Sequence, residues 1–276
     1  MRIRVVSLSI LLMMWGAALA HATVQPTYYL ALGDSLAIGL QPSATGDVPT
    51  KQGYADDLYA VYRTRIPGLG LAKLGCSGET TTSMIQGGVC SYAQGSQLAA
   101  ALNFLQTHKV AFVTLDIGAN DIDKCIGLSG INTRCFENGL TNIGNNLPRI
   151  LAELRNAAGP NTLIVGMNYY DGFLAAWTLV ANGPALAKAS LQATNLFNSV
   201  LQSAYQAFSI PVSNVARAYH INNFTLVPVI NLPLNVFLTL TWTWMGAPAP
   251  LGPDIHPNAV GYAVIAGAFA EKIPVP

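Results

Sequence analysis

The chain has 276 residues, and 14 Lys and Arg against 13 Asp and Glu leave a formal charge of only +1 at pH 7. Hydrophobic residues make up 51% and charged residues 10%, where typical domains carry about 25% charged. With no basic run, the chain lacks the clustered cations that neutralise nucleic-acid phosphates, and at this length it buries enough core to fold without a metal.

Arg2 and Arg4 precede an apolar stretch, Val5–Leu19, and the small residues around Ala20 and Ala22 suit a cleavage site. This is the pattern of a secretory signal peptide over residues 1–22. The run is shorter than the ~20 residues of a membrane span, so no stable membrane anchor is expected. The expected product is an exported single domain over residues 23–276, extracellular or periplasmic. Losing Arg2 and Arg4 leaves 12 basic against 13 acidic residues, a formal charge of −1.

Beyond the leader, short apolar runs alternate with helical stretches. Tyr28–Leu32 reads as a buried strand and Gly53–Arg65 as a helix stopped by Pro67 and Gly68. Leu69–Leu74 is a weaker strand. Gln97–Thr107 is helical, with Leu98, Ala101, Leu102 and Leu105 on one face. Val110–Ile117 is a clear strand. Phe136–Ala158 is helical, with Pro148 expected to kink or restart it. Thr162–Met167 is a strand, Leu186–Phe208 a long helix, Ile210–Val215 a short strand and Ala259–Phe269 a final helix. Alternation of this kind implies an α/β fold, a parallel sheet covered on both faces. Ligands bind such sheets at the carboxyl ends of the strands.

Two stretches fall outside the alternation. Tyr169–Gly183 carries Phe173, Leu174 and Trp177; His220–Pro250 is rich in Leu, Val and Pro and carries Trp242 and Trp244. Each is open to two readings, buried loop packing or an apolar substrate wall or lid. Asn223-Phe224-Thr225 also matches a glycosylation acceptor.

The four cysteines, Cys76, Cys90, Cys125 and Cys135, are an even number in an exported chain and read as disulfides. Of three possible pairings, Cys76–Cys90 and Cys125–Cys135 are favoured because each closes a short loop. No Cys-x-x-Cys or His-x-x-x-His spacing suggests a metal.

Four short motifs carry chemistry. Gly33-Asp34-Ser35 follows the first strand, where Gly permits a sharp turn and Ser would lie at the active edge. Ser77-Gly78-Glu79-Thr80-Thr81 follows the second strand; it reads as a helix cap, as a site of close substrate approach, or as both. Gly118-Ala119-Asn120-Asp121 follows the third strand. It is a turn whose Asn120 amide suits a developing oxyanion, an interaction worth about 3–4 kcal/mol in acyl transfer. Asp254-Ile255-His256-Pro257-Asn258 precedes the last helix, with Pro257 placed to fix the helix start.

In their order and placement these four motifs resemble the GDSL esterases and lipases, also called SGNH hydrolases. The resemblance implies a flavodoxin-like three-layer α/β/α sandwich on a five-stranded parallel sheet. It implies Ser35 as nucleophile and His256 as general base. Ser35, Gly78 and Asn120 would form the oxyanion hole. No metal or organic cofactor is implied. One departure stands out: the family places its acid three residues before the His, and here that position is Pro253. Asp254, two residues before, is the candidate third member of a triad; the Pro253 carbonyl is the alternative, making a dyad. The α/β-hydrolase elbow, Gly-x-Ser-x-Gly, fits poorly, since Gly75-Cys76-Ser77-Gly78 ends on Glu79.

The expected activity is hydrolysis of a neutral, fairly apolar carboxylic ester through an acyl-enzyme, on a small-molecule or lipid substrate, by a monomer. The alternatives are a carbohydrate O-acetylesterase of the same fold and a catalytically dead glycan-binding module.

Overall fold

The computed structural model describes residues 26–127 and 129–274. The signal-peptide reading lies outside the described residues.

Five strands form one parallel sheet: β1 (Thr27–Gly33), β2 (Leu69–Lys73), β3 (Lys109–Asp116), β4 (Leu163–Met167) and β5 (Val212–Ser213). Their spatial order is β2-β1-β3-β4-β5, the flavodoxin-like doubly wound order. β1 is central to the site because it pairs with β2 on one side and β3 on the other, placing Gly33 beside Asp116. Residues 29–32 of β1 are fully buried, as expected for strands covered on both faces.

The two faces follow the strand period of two. Tyr29, Phe112, Thr114 and Asp116 meet Tyr54 and Tyr62 of helix α1 (Tyr54–Tyr62): Tyr29 stacks on Phe112 at 4.4 Å, Tyr62 tilts against Phe112 at 5.0 Å, and Tyr54 donates to Asp116. Helices α2 (Gln97–Thr107), α3 (Thr133–Ala158) and α4 (Gly183–Ala207) pack together as the second layer. Two helices close the chain, α5 (Leu234–Trp242) and α6 (Ala259–Ala270). The latter returns to α1, with Tyr54 stacked on Phe269 at 4.9 Å. The parallel sheet covered on both faces, expected from the alternation, and the α/β/α sandwich implied by the resemblance are the observed fold.

Three expectations need correction. α3 starts at Thr133, three residues early, because Asn132 accepts the Cys135 N–H at 3.1 Å as an N-cap. It also runs as one helix through Pro148 rather than restarting there: its buried stripe of Phe136, Ile143, Leu147, Ile150 and Leu154 spans the proline, and that packing offsets the ~3 kcal/mol cost of an interior Pro. The last strand is only Val212–Ser213. Asn214 ends it by accepting the Arg217 N–H at 3.0 Å, which caps a helical turn over Val215–Ala218. Within the unassigned His220–Pro250 stretch, α5 forms and buries Val236 and Leu238.

The disulfides are Cys76–Cys90 and Cys125–Cys135. The first tethers the segment carrying Gly78, and the second ties the segment after Asn120 to the first turn of α3. No helix among the described residues is long and apolar enough to cross a membrane.

Candidate active site

Three loops leave the carboxyl ends of β1, β2 and β3 and meet over the sheet edge. The β1 loop turns at Gly33, whose φ is +135° and where an added Cβ would lie 1.8 Å from the Asp116 carbonyl oxygen. No other residue fits there. Gln97 of α2 clamps that turn, accepting the Gly33 N–H at 2.7 Å and donating to the Gly33 carbonyl at 2.8 Å. Asp34 then caps a single helical turn, Ser35–Ile38, by accepting the Leu36 N–H at 2.9 Å. Ser35 is therefore a first helical residue, whose backbone N–H has no intrahelical acceptor.

The β2 loop makes a turn closed by the Glu79 N–H on the Cys76 carbonyl at 3.1 Å. Gly78 sits in it at φ +80°, the left-handed region that disfavours side chains. Buried Glu79 joins this loop to its neighbours. Its side chain accepts from Gln97 at 3.0 Å, and its carbonyl accepts from Asn120 Nδ2 at 3.1 Å. That bond uses one of the two N–H groups of the Asn120 amide. Asp121 anchors the β3 loop by accepting the Thr81 N–H and hydroxyl, each at 2.8 Å.

The fourth motif arrives from the far end of the chain. His256 Nε2 lies 2.9 Å from Ser35 Oγ. His256 Nδ1 lies 2.8 Å from Asp254 Oδ1, and the same oxygen accepts the His256 backbone N–H at 2.8 Å. This is an Asx turn, in which one carboxylate oxygen holds both the backbone and the ring. It explains how an acid two residues away reaches the imidazole.

Ser35, Gly78, Asn120 and His256 line one cavity of about 200 Å³. Its apolar wall comes from Leu36, Ile122, Ile126, Phe173, Phe197 and Ile255, and Asp123 and Asp171 add polar groups. Of the two unassigned stretches, Tyr169–Gly183 supplies Tyr169–Phe173 to this wall, and His220–Pro250 supplies none of it.

The sequence reading missed Gln97, Glu79, Asp116, Tyr54 and Tyr169. Tyr169 donates to Asp34 at 3.1 Å. Each acts through a contact distant in sequence, so no local pattern marks it. Asp47, Asp254 and His256 place ligand-type atoms within 4.8 Å of one another, but both ring nitrogens of His256 are engaged, Nδ1 by Asp254 and Nε2 by Ser35.

Burial acts on Asp254 to raise its pKa, but the hydrogen bond and charge of His256 outweigh it and hold the carboxyl below its ordinary value. For His256, burial acts to lower the pKa, and the Asp254 bond and charge, with Asp47 and Asp34 behind them, leave it raised. The other acids near the site move upward. Burial and the Asp34 charge push Asp116 well up. Burial, with repulsion from Asp34, Asp171 and Asp121, lifts Asp123 to about 8 against the pull of His256. Burial lifts Asp171 to about 7 despite the Ser190 hydroxyl and two backbone N–H groups.

These shifts set the pH dependence of stability. An acid whose folded pKa lies above its unfolded value near 4 stabilises fully below that value, and the contribution is lost as pH rises through the folded pKa. Asp123 and Asp171 put that loss between about pH 4 and 8. The raised His256 has the same sign, and Asp254 has the opposite one, losing its contribution only in acid. The melting temperature is expected to fall from pH 5 to pH 8.5, by roughly 5 °C or more. Asp123→Asn should flatten the slope. A melting temperature that climbs over this range would mean that these carboxyls are ionised in the fold.

Residues 31–264 match the GDSL-like lipase/acylhydrolase family. Among solved structures, the fold is shared with phospholipase A1 from Streptomyces albidoflavus NA297 at TM-score 0.57 and 17% identity, covering 90% of this chain and 99% of that one. It is shared with the extracellular lipase of Streptomyces rimosus at TM-score 0.56 and 16% identity, covering 90% and 100%. An acetyl xylan esterase variant from Geobacillus stearothermophilus superposes at TM-score 0.55 and 15% identity, covering 91% and 96%. No curated protein matches the chain. A family match spanning both the Ser35 loop and the His256 segment leaves one conclusion: this chain belongs to the GDSL-like lipase/acylhydrolase family and is an ester hydrolase.

Proposed function

We propose that the protein is a secreted serine esterase acting on neutral esters with short to medium apolar acyl chains. The 2.9 Å contact between Ser35 Oγ and His256 Nε2 at the cavity wall carries this reading. Ser35 Oγ attacks the ester carbonyl carbon as its proton passes to His256 Nε2. The imidazolium is held by Asp254, whose carboxylate stays ionised. The carbonyl oxygen becomes an oxyanion that accepts from the Ser35 N–H, the Gly78 N–H and the free N–H of Asn120 Nδ2. Collapse of the intermediate breaks the ester C–O bond, and His256 returns its proton to the leaving alcohol. Water, deprotonated by His256, then attacks the acyl-enzyme, releasing the acid and restoring Ser35.

The acyl length follows from the cavity. At about 200 Å³ it is smaller than the roughly 300–1,000 Å³ of ordinary ligand pockets, which favours a short to medium acyl chain. The two disulfides suit an oxidising compartment and support export of the domain.

The test is hydrolysis of p-nitrophenyl esters from acetate to palmitate by the purified enzyme and by Ser35→Ala. Activity should peak between butyrate and octanoate and vanish in the variant. A folded enzyme inactive on every chain length would remove the reading. A second reading has one observation in its favour: Asn168, Asn195, Asn214, Asn222 and Gln202, with Arg217 and His220, line an open, amide-rich groove, chemistry that suits a glycan. Activity confined to acetate, and greater on acetylated xylan, would select that carbohydrate esterase instead.

A further inference from the structure

We propose that loop 226–232 is a docking tip that seats the enzyme on a neutral lipid–water interface, a reading that rests on the apolar ester substrate proposed above. The tip exposes aliphatic side chains that the fold leaves uncovered: Leu226 is 55% exposed, Ile230 46% and Val229 fully so. Val229 also holds φ +72°, and Asn231 holds φ +56°. A β-branched residue in the left-handed region is strained. The side chain held there is fully exposed rather than packed. The loop is nonetheless well defined: Leu226 bridges Pro233, the Val227 N–H donates to the Leu232 carbonyl at 2.8 Å, and the Asn231 N–H donates to the Val227 carbonyl at 3.0 Å.

The location fits a role in substrate access. Phe224 and Thr225, at the base of the loop, share a groove with Asn168 and Asn214, the residues directly after β4 and β5. The loop therefore rises from the same sheet edge as Ser35. Phe224 also packs on Trp177 at 5.8 Å, in the segment whose Phe173 lines the catalytic cavity.

Charge and area choose the occupant. From Ile221 to Pro253 the chain carries no Asp, Glu, Lys, Arg or His. A tip without charge can enter the interfacial region at no cost of desolvating ions, and gains by burying its aliphatic groups. The lack of cations gives no preference for anionic headgroups. A second copy of the chain is the poorer occupant, since three aliphatic side chains fall far short of the ~800 Å² per partner that a stable dimer buries. Held at an interface, the enzyme meets esters that are sparingly soluble in water, and a short or medium acyl chain reaches the cavity from there.

The experiment uses purified Ser35→Ala protein and phosphatidylcholine vesicles in a sedimentation assay, with and without Val229→Asp. Binding is expected, at least about tenfold weaker in Val229→Asp, and unchanged by high salt. Val229→Gly relieves the positive φ and removes the side chain, so it should fold and still bind weakly. On the active background, Val229→Asp should hydrolyse soluble p-nitrophenyl butyrate normally but lose about tenfold on emulsified tributyrin. No vesicle binding, binding equal in the variants, or binding confined to anionic vesicles and abolished by salt would overturn the proposal. So would a concentration-dependent dimer that Val229→Asp dissolves. Loss of p-nitrophenyl butyrate hydrolysis in the unsubstituted enzyme is a separate failure, that of the esterase reading.

Discussion

Ser35→Ala and His256→Ala are each expected to lower kcat by about a million-fold, and the double variant by no more than either alone. The reason is geometric. Ser35 Oγ lies 2.9 Å from His256 Nε2, the base of the proposed mechanism, and an un-ionised serine is a poor nucleophile without a base to take its proton. Likewise, His256 without Ser35 has no covalent intermediate to serve. What survives is the contribution of the oxyanion donors and of binding, roughly a thousandfold over water. The measurement is kcat for p-nitrophenyl butyrate in all three variants, with circular dichroism to confirm the fold. Both side chains sit at the surface of the cavity rather than in the core, so large unfolding is not expected. Losses that multiply in the double variant would show that the two residues act independently and would end the nucleophile–base assignment.

The parts of this site that a linear reading finds are those that sit at strand ends. A parallel sheet places the ends of β1, β2 and β3 side by side, so three motifs after three apolar runs converge without further information. His256 follows no strand, and was legible from its Asp254-x-His256-Pro257 motif before the last helix and from the resemblance that the four ordered motifs carry. The supporting shell was not. Gln97 clamps Gly33 from 64 residues away, and Tyr54 reaches Asp116 from 62. Local periodicity marks Gln97 and Tyr54 only as helical residues, and nothing in it says which polar group each will meet. The boundaries that slipped have a related cause. Asn132 and Asn214 look alike as loop residues, yet each accepts an N–H that starts a helix. For α5, burial of its apolar residues against the 3-10 turn at Gly172–Ala175 decides the helix, so a Pro-rich stretch without clear caps concealed it.

Asp254 is the member whose sequence position departs from the family pattern, and its geometry gives an unusual expectation for its variants. Asp254→Ala should lower kcat by about ten-thousandfold, as loss of a triad acid does. Asp254→Asn should cost much less, about a hundredfold. Where an acid meets only the imidazole, Asn can turn its amide N–H toward the ring and enforce the wrong tautomer. Here Oδ1 also accepts the His256 backbone N–H at 2.8 Å. An amide oxygen satisfies both donors as well, so the Asx turn keeps oxygen toward Nδ1 and preserves the productive tautomer. What Asn removes is the charge that stabilises the imidazolium. The pH profile reads that charge directly. His256 must be neutral to act as base, so kcat/KM rises with pH as His256 loses its proton, with a midpoint above the ordinary value of 6.5 because Asp254 holds the ring protonated longer. In Asp254→Asn the midpoint should move to lower pH. In Asp47→Asn it should move the same way by less, since Asp47 adds charge near His256 without bonding to it. Should both Asp254 variants lose less than about tenfold and leave the midpoint in place, the imidazole is oriented by another group, and Ser35 and His256 work as a dyad.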